Sequence, residues 1–111
     1  MEGTELSRLK GETLNFMNIE NSRYKLDEIT GFIHQAALNP HLSEESLDQI
    51  CKIANQFNFS GLCTNLLQLA NAKKRLGVKS STKLIAVIAF PFGDTPSILK
   101  KKEAEWAAMQ G

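Results

Sequence analysis

A chain of 111 residues with 42% hydrophobic and 23% charged side chains has the size and composition of one small globular domain, and excludes disordered or collagen-like classes. Lys and Arg number 13 against 12 Asp and Glu, a formal net charge of +1, so no bulk field draws the chain to nucleic acid or anionic lipid. Two cysteines are too few for a disulfide framework and no signal peptide is expected, so a reducing cytoplasm is the default expectation, and the longest apolar run, 84–92, is far below the ~20 residues that span a bilayer.

Residues 1–30 read as a polar lead-in with scattered apolar positions. Leu14, Met17 and Tyr24 share a weak helical phase, and 24–29 is expected to form a short helix entering the domain.

From Phe32 three similar units follow. The segment 32–38 reads as a short strand ended by Asn39-Pro40, since proline biases the residue before it towards extended backbone. Ser43 is then a helix N-cap, and Glu44 and Glu45 complement the positive end of the dipole in the first turn. Leu47, Ile50, Cys51, Ala54 and Phe57 recur at three- and four-residue spacing and make one apolar face.

The second unit is a strand over 60–64, then a helix over 66–76 with Leu66, Leu69, Ala70 and Lys73 in one stripe. Gly77 suits the left-handed position after a helix end. The third unit carries the strongest strand pattern, 83–90, apolar on both faces as a buried parallel strand must be. Pro91-Phe92-Gly93 breaks it, and Thr95 is expected to cap a helix with Pro96 at its first position. Strand alternating with helix over short links implies parallel strands joined by right-handed crossovers.

Two basic runs, Lys73-Lys74-Arg75 and Lys100-Lys101-Lys102, read as solvated helix surface. No aromatic residues interleave with them as nucleic-acid binding would require. His34 and His41 lack the paired spacing of a zinc site, and no metal or cofactor is expected. There is no Gly-x-Ser-x-Gly elbow, phosphate-binding Gly-rich loop or Cys-x-x-Cys.

At the three strand ends the ordered motifs resemble the deoxyribose-phosphate aldolase family. Ala37-Leu38-Asn39-Pro40-His41-Leu42-Ser43-Glu44-Glu45 is similar to its first strand and loop, commonly I-D-H-T-L-L-x-P before an acidic helix start. Phe59-Ser60-Gly61-Leu62-Cys63-Thr64-Asn65 resembles its second strand, commonly V-C-V-N-P. Ile85-Ala86-Val87-Ile88-Ala89-Phe90-Pro91-Phe92-Gly93 resembles its third, commonly A-T-V-I-G-F-P-x-G. The stretch 103–111 resembles the helix leading to the fourth. The likeness runs from about Ile29 to Gly111.

The resemblance implies an α/β fold: a partial (β/α)8 TIM barrel of about three parallel βα units over 31–111, preceded by the N-terminal helical lead-in of 1–30. It also implies a class I aldolase that cleaves 2-deoxyribose 5-phosphate to acetaldehyde and glyceraldehyde 3-phosphate through a lysine Schiff base. Such a lysine must be neutral enough to attack a carbonyl, with proton-moving groups beside it. In the family those groups lie on the fourth, sixth and seventh strands, so this chain is expected to be an incomplete half, inactive alone.

Substrate-facing positions implied by the resemblance are His34, Ala36, Asn39, Cys63 and Asn65. His34 and Ala36 stand where the family has Asp and Thr, Gln35 replaces the intervening His, and Leu66 replaces the usual Pro. His34 is either a substitute polar group or a structural histidine, and Cys63 either faces substrate or is a small core thiol. Asn39 and Asn65 either bind substrate or close turns. The expected partners are a phosphorylated sugar, if the barrel is completed, and a second copy or a completing chain. The alternative is a non-catalytic α/β module that works by association.

Overall fold

The computed structural model describes residues 24–111. Leu14 and Met17, expected to begin a helical lead-in, lie outside the described residues. A short helix α1 (Leu26–Thr30) enters a three-stranded parallel sheet of order β1-β2-β3, formed by β1 (His34–Ala37), β2 (Gly61–Thr64) and β3 (Lys83–Ala86). Helix α2 (Glu44–Phe57) links β1 to β2, and α3 (Leu69–Leu76) links β2 to β3. Helix α4 (Ser97–Met109) follows β3. Strand order and direction match the expected run of βα units.

Helix α2 starts where its sequence dictates. Ser43 Oγ accepts the Ser46 N–H at 3.1 Å, which satisfies one of the orphan donors of the first turn. At the other end Asn58 takes the left-handed conformation, φ 52° and ψ 48°, which asparagine tolerates better than other non-glycine residues.

The pairing register decides which side chains meet. His34, Gly61 and Lys83 are aligned, then Gln35, Leu62 and Leu84, then Ala36, Cys63 and Ile85. Alternate residues point to opposite faces, so Leu62, Leu84 and Ala37 join the helix side of the sheet. There they pack with Leu47, Cys51 and Ala54 of α2 and with Ala72 and Leu76 of α3. Burying each large aliphatic side chain there contributes about 1.5–3 kcal/mol. Ala36, Cys63 and Ile85 share the other face, over Gly61.

Among the described residues, buried side-chain polar atoms all have partners. Thr64 Oγ1 donates to Ala37 O at 2.8 Å, tying the end of β2 to the end of β1. Thr82 Oγ1 donates to Phe59 O at 2.8 Å, and Asn55 Nδ2 donates to Leu76 O at 2.9 Å.

Several boundaries differ from the sequence expectation. Phe32 and Ile33 belong to the turn after α1, their N–H groups donating to Ile29 O and Thr30 O, so β1 starts only at His34. Strand β3 stops at Ala86, although Val87 N–H still donates to Thr64 O at 3.1 Å. Its partner has by then turned away, because Asn65 begins a 3-10 turn over Leu66–Gln68. That turn also resets the phase of α3, whose buried face is Leu69, Ala72 and Leu76, with Ala70 and Lys73 exposed. Gly77 has φ 85° but ψ 160°, an extended positive-φ region essentially confined to glycine rather than the left-handed helical one. Pro96 itself takes the cap position of α4, and Thr95 lies one residue before it.

Candidate functional site

Chain direction places the C-terminal ends of all three strands on one side of the sheet. In parallel α/β architectures that side is where loops gather and chemistry is built. An open cleft of about 520 Å³ lies there. Leu38 after β1, Asn65 and Gln68 after β2, Val87 and Ala89 after β3, and Glu103 from α4 line it.

Each wall has a local cause. On the β2 side Asn65 Oδ1 accepts the Gln68 N–H at 3.1 Å, so the side chain caps the 3-10 turn that brings Leu66 and Gln68 to the cleft. On the β3 side the chain doubles back over Ala89–Gly93. Ala89 has φ 51° and Gly93 φ 68°, and the Phe90–Pro91 peptide is cis. Gly93 N–H donates to Ala89 O at 2.7 Å, closing that turn. Ala89 N–H in turn donates to Glu103 Oε2 at 2.7 Å, a short bond of the charge-assisted kind. Glu103 is the one ionisable side chain among the cleft-lining residues.

The residues singled out in the sequence are distributed unevenly over this geometry. Asn65 lines the cleft. Asn39 is exposed beside it, between the lining residues Leu38 and Pro40. Its Oδ1 accepts the His41 N–H at 2.9 Å, so it closes a turn. Ala36 and Cys63 are register neighbours in mid-strand, on the face opposite the helices, with Cys63 half-buried. His34 is exposed at the start of β1, about 10 Å of strand from the cleft end at ~3.3 Å per residue. Its Nε2 lies 3.5 Å from Ser60 Oγ.

Glu103, Gln68 and Ala89 were not among the residues singled out. Nothing local in the sequence marks Glu103, because its partner is a backbone amide 14 positions earlier.

The basic runs are tied into the chain. Arg75 Nη1 is 3.1 Å from Asp48 Oδ1, and Lys101 and Lys102 lie 4.0 and 3.8 Å from the Glu105 carboxylate. Lys73 Nζ donates to Gln110 O at 3.1 Å. Among the described residues no group of three or more His, Cys, Asp or Glu side chains could hold a metal ion. Among them, too, no helix is long and apolar enough to cross a membrane.

No protein-family model matches the chain. Curated relatives do. A deoxyribose-phosphate aldolase of Thermococcus kodakarensis is 34% identical over 85 residues, and one of Treponema denticola is 32% identical over 84. Each alignment covers 76% of this chain but only 38% of the relative, so the chain spans well under half the length of the curated relatives it matches. Among solved structures, a putative deoxyribose-phosphate aldolase from Coccidioides immitis superposes with a TM-score of 0.74. It covers 97% of this chain and 44% of its own, at 18% identity. A tetrameric deoxyribose phosphate aldolase from Aeropyrum pernix gives 0.70, over 78% of this chain and 37% of its own, at 24% identity. At such identities these two likenesses speak for the fold. The sequence alignments carry the kinship: about 76% of the chain is homologous to deoxyribose-phosphate aldolases, over a stretch amounting to about 38% of their length.

Proposed function

We propose that this chain forms the first three βα units of an aldolase-type barrel acting on 2-deoxyribose 5-phosphate, and that it does not catalyse by itself. The observation that carries the second half is the composition of the cleft. Its lining supplies amides, apolar side chains and one carboxylate, but no lysine. A class I aldolase needs an amine that can attack a carbonyl. Every described lysine lies on a helix, in a loop or cap, or, as Lys83 does, at the start of a strand.

Within this reading Asn65 and its neighbours at the cleft offer polar contacts to a sugar phosphate. Ala36 and Cys63 face the barrel interior, and Asn39 and His34 are substrate-facing by resemblance alone. Cytoplasmic residence fits two unpaired cysteines. A second reading, a non-catalytic module that associates with another chain, is favoured by the exposed sheet face around Ala36.

The test is direct. The chain is assayed for release of glyceraldehyde 3-phosphate from 2-deoxyribose 5-phosphate, and for borohydride-trapped adducts with acetaldehyde. Neither turnover nor an adduct is expected. Stoichiometric trapping at a single lysine would overturn the reading.

A further inference from the structure

Beyond Val87 the chain leaves its strand partner, and its backbone groups must be satisfied by something else. Ala89 meets this demand in an unfavourable conformation. At φ 51° an alanine sits in the left-handed region that its Cβ disfavours. Such residues persist where their surroundings over-determine them, and they cluster at functional sites.

Here both backbone groups of Ala89 are held at short range. Its carbonyl accepts the Gly93 N–H and its N–H donates to Glu103 Oε2, each at 2.7 Å. The second contact crosses from the loop to α4. That helix has no buried residue, so apolar packing does little to fix its place. Its other acidic side chain, Glu105, pairs with Lys101 and Lys102 along the helix surface. Glu103 lines the cleft instead, with Ala89, Phe90 and Pro91.

We propose that the Glu103 carboxylate is the positioning group of this cleft: by accepting the Ala89 N–H it holds residues 89–93 in the turn that forms one cleft wall. The same bond ties α4 to the strand ends, while Lys73 Nζ holds the far end of the helix at Gln110 O. Glu103 thereby acts through the loop rather than on a ligand. The significance of the wall as part of a sugar-phosphate site rests on the functional reading above.

The test uses the isotope-labelled chain and compares wild type, Glu103→Gln and Glu103→Ala by amide hydrogen exchange. Glu103→Ala is expected to speed exchange at Ala89 by about tenfold or more, the scale of a lost bond to a charged acceptor. It should also shift the Gly93 amide, while Leu62 and Thr64 in the sheet keep their protection. Glu103→Gln retains an acceptor oxygen but not the charge, and is expected to restore a measurable part of the Ala89 protection. Unchanged exchange at Ala89 in Glu103→Ala overturns the proposal. So does equal acceleration at Leu62, which would mean general destabilisation, or failure of the glutamine variant to rescue.

A parallel titration with 2-deoxyribose 5-phosphate follows the Asn65 and Gln68 amides. Shifts in wild type that weaken in Glu103→Ala support both readings. No shift in wild type defeats the sugar-phosphate reading, while the exchange data still decide the role of Glu103.

Discussion

Cys51 and Cys63 carry the same thiol into opposite surroundings. Cys51 is fully buried on α2, with Sγ 3.9 Å from Ala72 O. Burial, outweighing the nearby Arg75 charge, pushes its thiol up to about 11. Cys63 is half-buried on the face of the sheet opposite α2 and α3. The thiolate is the reactive form, so a disulfide-exchange reagent at about pH 8 should label Cys63 at least about tenfold faster than Cys51. Peptide mass spectrometry of a time course would show this, and equal rates would mean that α2 opens as readily as the sheet face. The sign of the pH effect follows from the same shift. A thiol whose folded value lies above its ordinary 9.0 contributes fully below 9.0, and that contribution is lost as pH rises towards 11. Cys63 was legible in the sequence as a strand residue, because a strand has a fixed alternation. Glu103 was not: no local pattern announces a carboxylate whose partner is a remote amide in a left-handed turn.

At the scale of elements, α2 and α3 are joined by charge as well as by Leu47, Ala54, Ala72 and Leu76. Asp48 lies 2.9 Å from Lys52 Nζ and 3.1 Å from Arg75 Nη1, and Arg75 also lies 3.8 Å from Glu44. The Lys52 hydrogen bond, aided by Arg75, holds the Asp48 carboxyl below its ordinary 3.8. A carboxylate with a lowered folded value stabilises the fold above its ordinary range, and that contribution disappears as pH falls through the folded value. Asp48→Asn should therefore lower the thermal midpoint slightly at neutral pH, as exposed pairs are worth little. The difference from wild type should close well below pH 3.8. A gap of the same size under strong acid would assign the effect to packing rather than charge. The elements themselves were legible to different degrees, for physical reasons. Helix α2 declares its start through Ser43, Glu44 and Glu45 and its face through Leu47, Cys51 and Ala54. The stripe of α3 departs from the one its sequence suggests because the 3-10 turn at Leu66–Gln68 advances ~3.0 residues per turn rather than 3.6, which moves the buried set to Leu69, Ala72 and Leu76. Strand β3 ends at Ala86, short of its apolar run, because that run says nothing about where β2 stops.

Over the whole molecule, the two faces of the sheet are treated differently. One is covered by α2 and α3. On the other, His34 and Ala36 are exposed and Cys63 and Ile85 only half-buried. At the cleft Leu67 and Phe90 are 87% and 54% exposed, and Phe92, two residues on, is 90% exposed, and apolar surface gathered in this way marks sites of association. Strands β1 and β3 also have no neighbour beyond them among the described residues, and unpaired parallel edges invite pairing with another chain. Covering this surface is worth about 25 cal/mol per Å² of apolar area, against a total stability of ~5–15 kcal/mol for a domain. Self-association at micromolar concentration is therefore expected. The register identifies the residue to test. Ile85 sits over Gly61, since a Cβ built on Gly61 would collide with Ile85 Cδ1. Replacing Ile85 with Lys leaves an aliphatic stem over Gly61 but puts a charge into any contact made through that face. Ile85→Lys should shift the chain towards monomer in sedimentation velocity while keeping the wild-type circular dichroism spectrum. A wild-type chain that sediments as a concentration-independent monomer, melts cooperatively and binds no hydrophobic dye would show instead that the uncovered face needs no partner.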